Sequence, residues 1–140
     1  MERNEFCQML VKSREQAGIS KNEMCRRTGL TFARLQLIEA KPNNFIISKP
    51  IQYLNAIGCV LCLVKGSACT LVQTEQDVAM WLKESRKNLF SQRTLAQAIG
   101  CSYLTIANIE RGKTTITIDT LLKIVNALGY TISIKSKDGE

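Results

Sequence analysis

The chain has 140 residues, 45% of them hydrophobic and 22% charged, enough for one domain or two small ones and too apolar for a disordered chain. It contains no histidine, which removes the commonest general base, the usual serine and cysteine protease arrangements and most zinc sites. No apolar run approaches the roughly 20 residues of a membrane-spanning helix, and a net charge of +7 favours an anionic partner, nucleic acid before acidic protein or lipid.

In chain order, Met1 to Glu5 carries no apolar signal core, so a cytoplasmic protein with reduced thiols is expected. Helical spacing places helices near Glu5–Ala17, Lys21–Thr28, Phe32–Ala40 and Lys49–Ile57. Ser20 and Glu23 have the spacing of a capping box, and Ser48 can cap the fourth helix with Pro50 in its first turn. A strand follows at 59–65, apolar on both faces. Cys59 and Cys62 lie in it three residues apart, hence on opposite faces, and no second pair completes a metal site. Cys7, Cys25 and Cys101 stand where small or apolar helical residues belong. No metal and no cofactor is expected.

Residues 67–73 read as a linker. Thr74 can cap the next helix, in which Val78, Trp81, Leu82 and Ser85 recur at helical spacing. Ser91 can cap Gln92–Ile99, Gly100 suits a left-handed turn, Ser102 can cap Tyr103–Arg111, and Thr117 can cap Ile118–Leu128. The last element is a half-buried strand at 130–136, where Tyr130, Ile132 and Ile134 alternate with polar residues.

The two halves repeat each other. A shift of 71 residues carries Ser20 onto Ser91, Gly29 onto Gly100, Ile38-Glu39 onto Ile109-Glu110, and Asn55-Ala56 onto Asn126-Ala127. The fold class expected is mainly α: two tandem units, 1–66 and 74–140, each of four helices and a short C-terminal strand.

Within the second unit, Ala96 is small where two helices must cross, Gly100 occupies the turn, and Leu95, Ile99, Ile106 and Ile109 supply an apolar inner face. With Gln92-x-x-Leu95-Ala96, Gly100-Cys101-Ser102, Ile106 to Lys113 and Thr120 to Ile124, this stretch resembles the Xre-type, lambda-repressor-like helix-turn-helix family. The first unit is a weaker match: Cys25 stands for the alanine, Thr28 for Ile99, Lys21 for Gln92, and Ala40-Lys41-Pro42 for Arg111-Gly112-Lys113.

The resemblance implies an architectural ion pair in each unit, Arg14 with Glu39 and Arg86 with Glu110. It also implies that the third helix of each unit enters the major groove of DNA. In the second unit this presents Ser102, Tyr103, Leu104, Thr105 and Asn108, with Asn108 able to make a bidentate pair to adenine. In the first it presents Thr31, Phe32, Ala33, Arg34 and Leu37. Arg34 could reach guanine, while Phe32 and Leu37 suit either thymine methyls or a protein contact. Phosphates would be met at the start of each second helix by Gln92 and Lys21, with Lys113, Arg93 and Lys41 as further candidates.

The expected function is a sequence-specific regulator of transcription, repressor-like, whose partner is double-stranded DNA. Two alternatives stay open. One is a DNA-binding antitoxin with a toxin as second partner; the other is a protein-interaction module with degenerate DNA-binding helices. No paired acidic motif and no Gly-rich phosphate loop points to an enzyme. A lone strand is unstable, so the two strands are expected to pair antiparallel within the chain, giving an intrachain pseudodimer; pairing between chains, giving a homodimer, is the alternative.

Overall fold

In the computed structural model the described residues are 1–40 and 43–137. They form α1 (Arg3–Gln16), α2 (Lys21–Thr28), α3 (Phe32–Glu39), α4 (Ser48–Ala56), β1 (Cys59–Lys65), β2 (Ala68–Val72), α5 (Glu75–Arg86), α6 (Gln92–Ile99), α7 (Tyr103–Glu110), α8 (Ile118–Leu128) and β3 (Thr131–Ser136). Ser20, Thr74, Ser91, Ser102 and Thr117 each accept a hydrogen bond from the backbone N–H three residues on, so five of the expected caps are formed, and Thr31 caps α3 in the same way.

Two cap readings differ. Glu23 does not complete a box with Ser20; its carboxylate pairs with Arg26 and Arg27, one turn further along α2. Ser48 lies inside α4 and the cap position falls on Ile47, which makes no side-chain cap bond. The Ile47 N–H donates instead to the Ile116 carbonyl at 2.9 Å, so a contact from the other half fixes where α4 begins.

The strands form one antiparallel sheet in the order β2-β1-β3. Residues 67–73, expected as a linker, therefore carry β2. Gly66 and Ser67 are the two-residue turn of a β1–β2 hairpin, with Gly66 at φ +60, a left-handed angle suited to the first central position of a type II′ turn. The strand 130–136 begins at Thr131 instead. Tyr130 precedes it and meets Trp81 edge-to-face, ring centroids 5.2 Å apart.

The expected pairing of the two C-terminal strands is present, and its register is informative. Cys62 lies opposite Ser133, its own counterpart at a distance of 71 residues. The isolated bridge Ile46↔Thr117 joins another such pair. Around it the Ile47 N–H donates to Ile116 and the Ile118 N–H donates to Phe45, at 2.9 and 2.8 Å, and exchanging the halves turns one bond into the other. An approximate twofold relation thus runs between Ile46 and Thr117 and between Cys62 and Ser133.

One apolar cluster crosses this relation, with Phe6, Leu10, Leu35 and Tyr53 from the first half and Trp81, Leu82, Leu95 and Ile106 from the second. Leu61 and Leu63 of β1 are 1% and 0% exposed, worth about 1.5–3 kcal/mol each when fully buried. Val60 and Cys62, on the other face of β1, are buried but stand outside that cluster. Cys59 packs against it, so the two cysteines do face opposite ways. All six cysteines are free; Cys69, on β2, is exposed.

Both implied ion pairs are formed. Arg14 donates to both Glu39 oxygens at 2.9 and 3.2 Å and to the Ile19 carbonyl at 2.8 Å. Arg86 does the same with Glu110 and with the Phe90 carbonyl, at 3.0 Å. Side-chain exposure is 7% and 3% in the first pair and 12% and 4% in the second. Burial works against the Arg14 charge, but Glu39 outweighs it and leaves the guanidinium above its ordinary pKa; Glu110 raises Arg86 likewise. Each pair ties the first helix of its half to the loop below it and to the end of the third.

Arg86→Ala should therefore strand a buried carboxylate and cost about 3–5 kcal/mol in urea unfolding, whereas Arg86→Met with Glu110→Leu should recover most of that loss. A loss under about 1 kcal/mol for the single substitution would mean that the pair does not hold these helices.

Candidate nucleic-acid interface

α6 and α7 are two short helices joined by a tight turn. Gly100 closes α6 at φ +77, its N–H bonded to the Ala96 carbonyl, a conformation that a side chain would strain. Ala96, 2% exposed, lets the helices cross, while Leu95, Ile106 and Ile109 point inward. That packing leaves the other face of α7 to solvent: Ser102, Tyr103 and Leu104 are exposed, and Thr105 and Asn108 half-buried.

The expected contact residues are not equivalent in this setting. Ser102 caps α7, accepting from the Thr105 N–H at 3.3 Å, and its hydroxyl meets that of Thr105 at 3.1 Å. Arg93, at the start of α6, lays its guanidinium 4.2 Å from the Tyr103 ring centroid. This cation–π contact holds a charge and an aromatic ring together beside the start of α7. Among the described residues nothing hydrogen-bonds the Asn108 side-chain amide. Lys113 is exposed just past α7, its N–H bonded to the Asn108 carbonyl at 2.9 Å.

Gln92 departs from the expectation. Its side-chain amide donates to Glu110 at 3.1 Å, so it serves the buried ion pair, and an anion at this helix start would meet backbone N–H groups.

The first half builds the same turn from α2 and α3, with Gly29 at φ +74. Thr28, in place of the apolar Ile99, is buried without polar cost, because its hydroxyl donates to the Met24 carbonyl at 2.8 Å and accepts from the Leu30 N–H at 3.2 Å. Thr31 caps α3 as Ser102 caps α7. Phe32 and Leu37 are 51% and 43% exposed, and Arg34 is exposed beside them. Lys21 sits over the Phe32 ring at 5.7 Å, repeating the cation–ring contact one position earlier than in the second half, and also donates to Gln36 at 3.4 Å. Lys41 lies outside the described residues.

Sequence reasoning missed Tyr53. Its hydroxyl donates to Glu39 at 2.6 Å, and burial, with Glu39 beside it, pushes the phenol well above its ordinary pKa. Each buried glutamate thus gains a further donor, but from different places: Tyr53 of α4 in the first half, Gln92 of α6 in the second. The only sequence signal is that Tyr53 is polar where its counterpart is Ile124.

Among the described residues no group of His, Cys, Asp or Glu could hold a metal ion. No described helix is long and apolar enough to cross a membrane.

Compared with known proteins, residues 82–135 match the family model described as helix-turn-helix, HTH_3. No curated protein matches the chain. No solved structure matches it either. The family match runs from the end of α5 through β3, and a second copy over the first half is not detected. Residues 82–135 are one helix-turn-helix domain of the Xre type, a kind that implies DNA binding.

Proposed function

We propose that this chain is a sequence-specific regulator of transcription that reads duplex DNA with α7 in the major groove. The observation carrying this reading is the solvent face of α7: Asn108 with an unengaged side-chain amide, flanked by Ser102, Tyr103 and Thr105. An amide of that kind suits the adenine edge, which offers one donor and one acceptor side by side. Arg93 and Lys113 bracket the helix as phosphate contacts, and the chain's +7 charge supplies the long-range attraction.

In this reading the first half is a second, unequal head. Thr31 and Arg34 supply polar contacts, and Phe32 and Leu37 an apolar surface for thymine methyls. The twofold register favours it, since Thr31 and Ser102 hold matching cap positions on α3 and α7. The same exposed pair, Phe32 and Leu37, equally favours a second reading in which α3 docks on a protein.

Selection of binding sites from random duplexes separates the contributions. Asn108→Ala should cost about 1–3 kcal/mol on the best site and flatten preference at one base pair. Lys113→Ala should weaken all sequences alike and lower the slope of log affinity against log salt by about one. An unchanged motif for Asn108→Ala would remove the reading residue from this proposal.

Substitutions at Thr31 and Arg34 should shift the selected motif less than those at Ser102 and Asn108, leaving one sharp and one loose half-site. Two equally sharp half-sites per chain would contradict the unequal heads. A motif wholly indifferent to Thr31, Phe32 and Arg34 would favour the protein-docking reading of α3.

A further inference from the structure

The twofold relation between the halves is broken at the rim of the sheet. β1 has a neighbour on each side, β3 on one and β2 on the other. Among the described residues its counterpart β3 has a neighbour on one side only. The position that exchange of the halves assigns to a fourth strand, antiparallel to β3, is an open edge.

The side chains there show that the edge is underfilled. Leu63 and Ile134 are counterparts facing the same layer. Leu63 is 0% exposed, whereas Ile134 is only half-buried. β2 lies against α5, where Thr70 and Leu71 share a groove with Trp81 and Ser85. At the matching place α1, the counterpart of α5, faces a cleft of about 460 Å³ lined by Ser13, Gln16, Ala17, Gly58, Ile134 and Lys135. Ser13 is the counterpart of Ser85, at a shift of 72 because the first half has one more residue in its turn at Gln16 to Ile19. The open edge is therefore the place that β2 takes in the other half, and the cleft borders it.

We propose that this edge is a docking site for an extended, acidic–apolar segment of a partner protein, which adds to the sheet as a fourth strand. Its main chain would pair with β3, the mode of recognition in which backbone bonds give affinity and alternate side chains give specificity. The β1–β2 register, carried over by the shift, fixes the positions. The place of Val72 falls opposite Ile132, that of Thr70 opposite Ile134, and that of Cys69 opposite Lys135. An apolar residue is required at the first and suits the second, where Ile134 is left half-covered. An acid suits the third, since Lys135 is exposed and has no carboxylate partner among the described residues; its ammonium leans across β1 to the Cys69 thiol of β2, 3.4 Å away, and would turn to the edge to meet the acid. Like charges directly opposite one another across strands are destabilising, so a basic segment is excluded.

The probe is a synthetic peptide of residues 66–73 carrying Cys69→Glu, added to the full ¹⁵N-labelled chain. Binding should shift the amides of Thr131 to Ser136 and slow their exchange with solvent, leaving those of β2 unmoved. Lys135→Glu in the protein should weaken binding several-fold, and a peptide with Cys69→Lys should restore it. N-methylation of the peptide amides that face β3 should abolish binding. The proposal is overturned by no binding at millimolar peptide, by shifts confined to β2, or by a chain whose β3 amides are already protected in a dimer, which would make a second copy the occupant.

Discussion

The antiparallel pairing of β1 with β3 is the contact on which the rest depends. Neither strand is stable alone, and β1, apolar on both faces, needs partners more than most. Because Cys62 pairs with Ser133, its own counterpart, the pairing relates the halves instead of merely attaching them. The bridge between Ile46 and Thr117 repeats this at the starts of α4 and α8. Arg3 of α1 and Asp119 of α8 add an ion pair across the same boundary, and the Arg3 side chain holds the Asp119 carboxyl below its ordinary pKa. Both groups are about a third exposed, so this pair contributes little beside the strands and the shared core.

Local chemistry then decides what each half presents. The buried Arg14–Glu39 and Arg86–Glu110 pairs pin the ends of α3 and α7 against α1 and α5. With those ends fixed and Ala96 admitting a close crossing, the polar and aromatic face of α7 is turned to solvent, with Arg93 lying over Tyr103. In α3 the same geometry exposes Phe32 and Leu37. The two faces share a scaffold and differ in chemistry, and a single family match over 82–135 coexists with a repeated order of elements.

Much of this was legible in the sequence because short-range signals agreed with the fold. Ser and Thr before apolar periodic runs marked five helix starts, and Gly100 marked the turn. The linker was misread because β2 is short and its alternation ambiguous: Ala68, Cys69 and Thr70 carry little hydrophobic contrast. The Gly66-Ser67 pair between two runs of strand-forming residues was the available hairpin signal. Ser48 misled because the start of α4 is set by Ile116, far away in sequence. Gln92 was read as a phosphate contact because its role depends on where Glu110 lies in space, and Tyr53 escaped notice for the same reason with Glu39. Helix caps are local and could be read; side-chain networks between helices are not.

The most direct test is the mass of the protein bound to its selected DNA site. If β1 and β3 pair within one chain and both halves face the duplex, one chain of 15.7 kDa should occupy a site with two half-sites about one helical turn, roughly 34 Å, apart. Sedimentation of the complex at micromolar protein should then give one chain per duplex, with both half-sites footprinted. Two chains on that duplex, dissociated together by a proline at Ile132, would contradict it and place the strand pairing between chains.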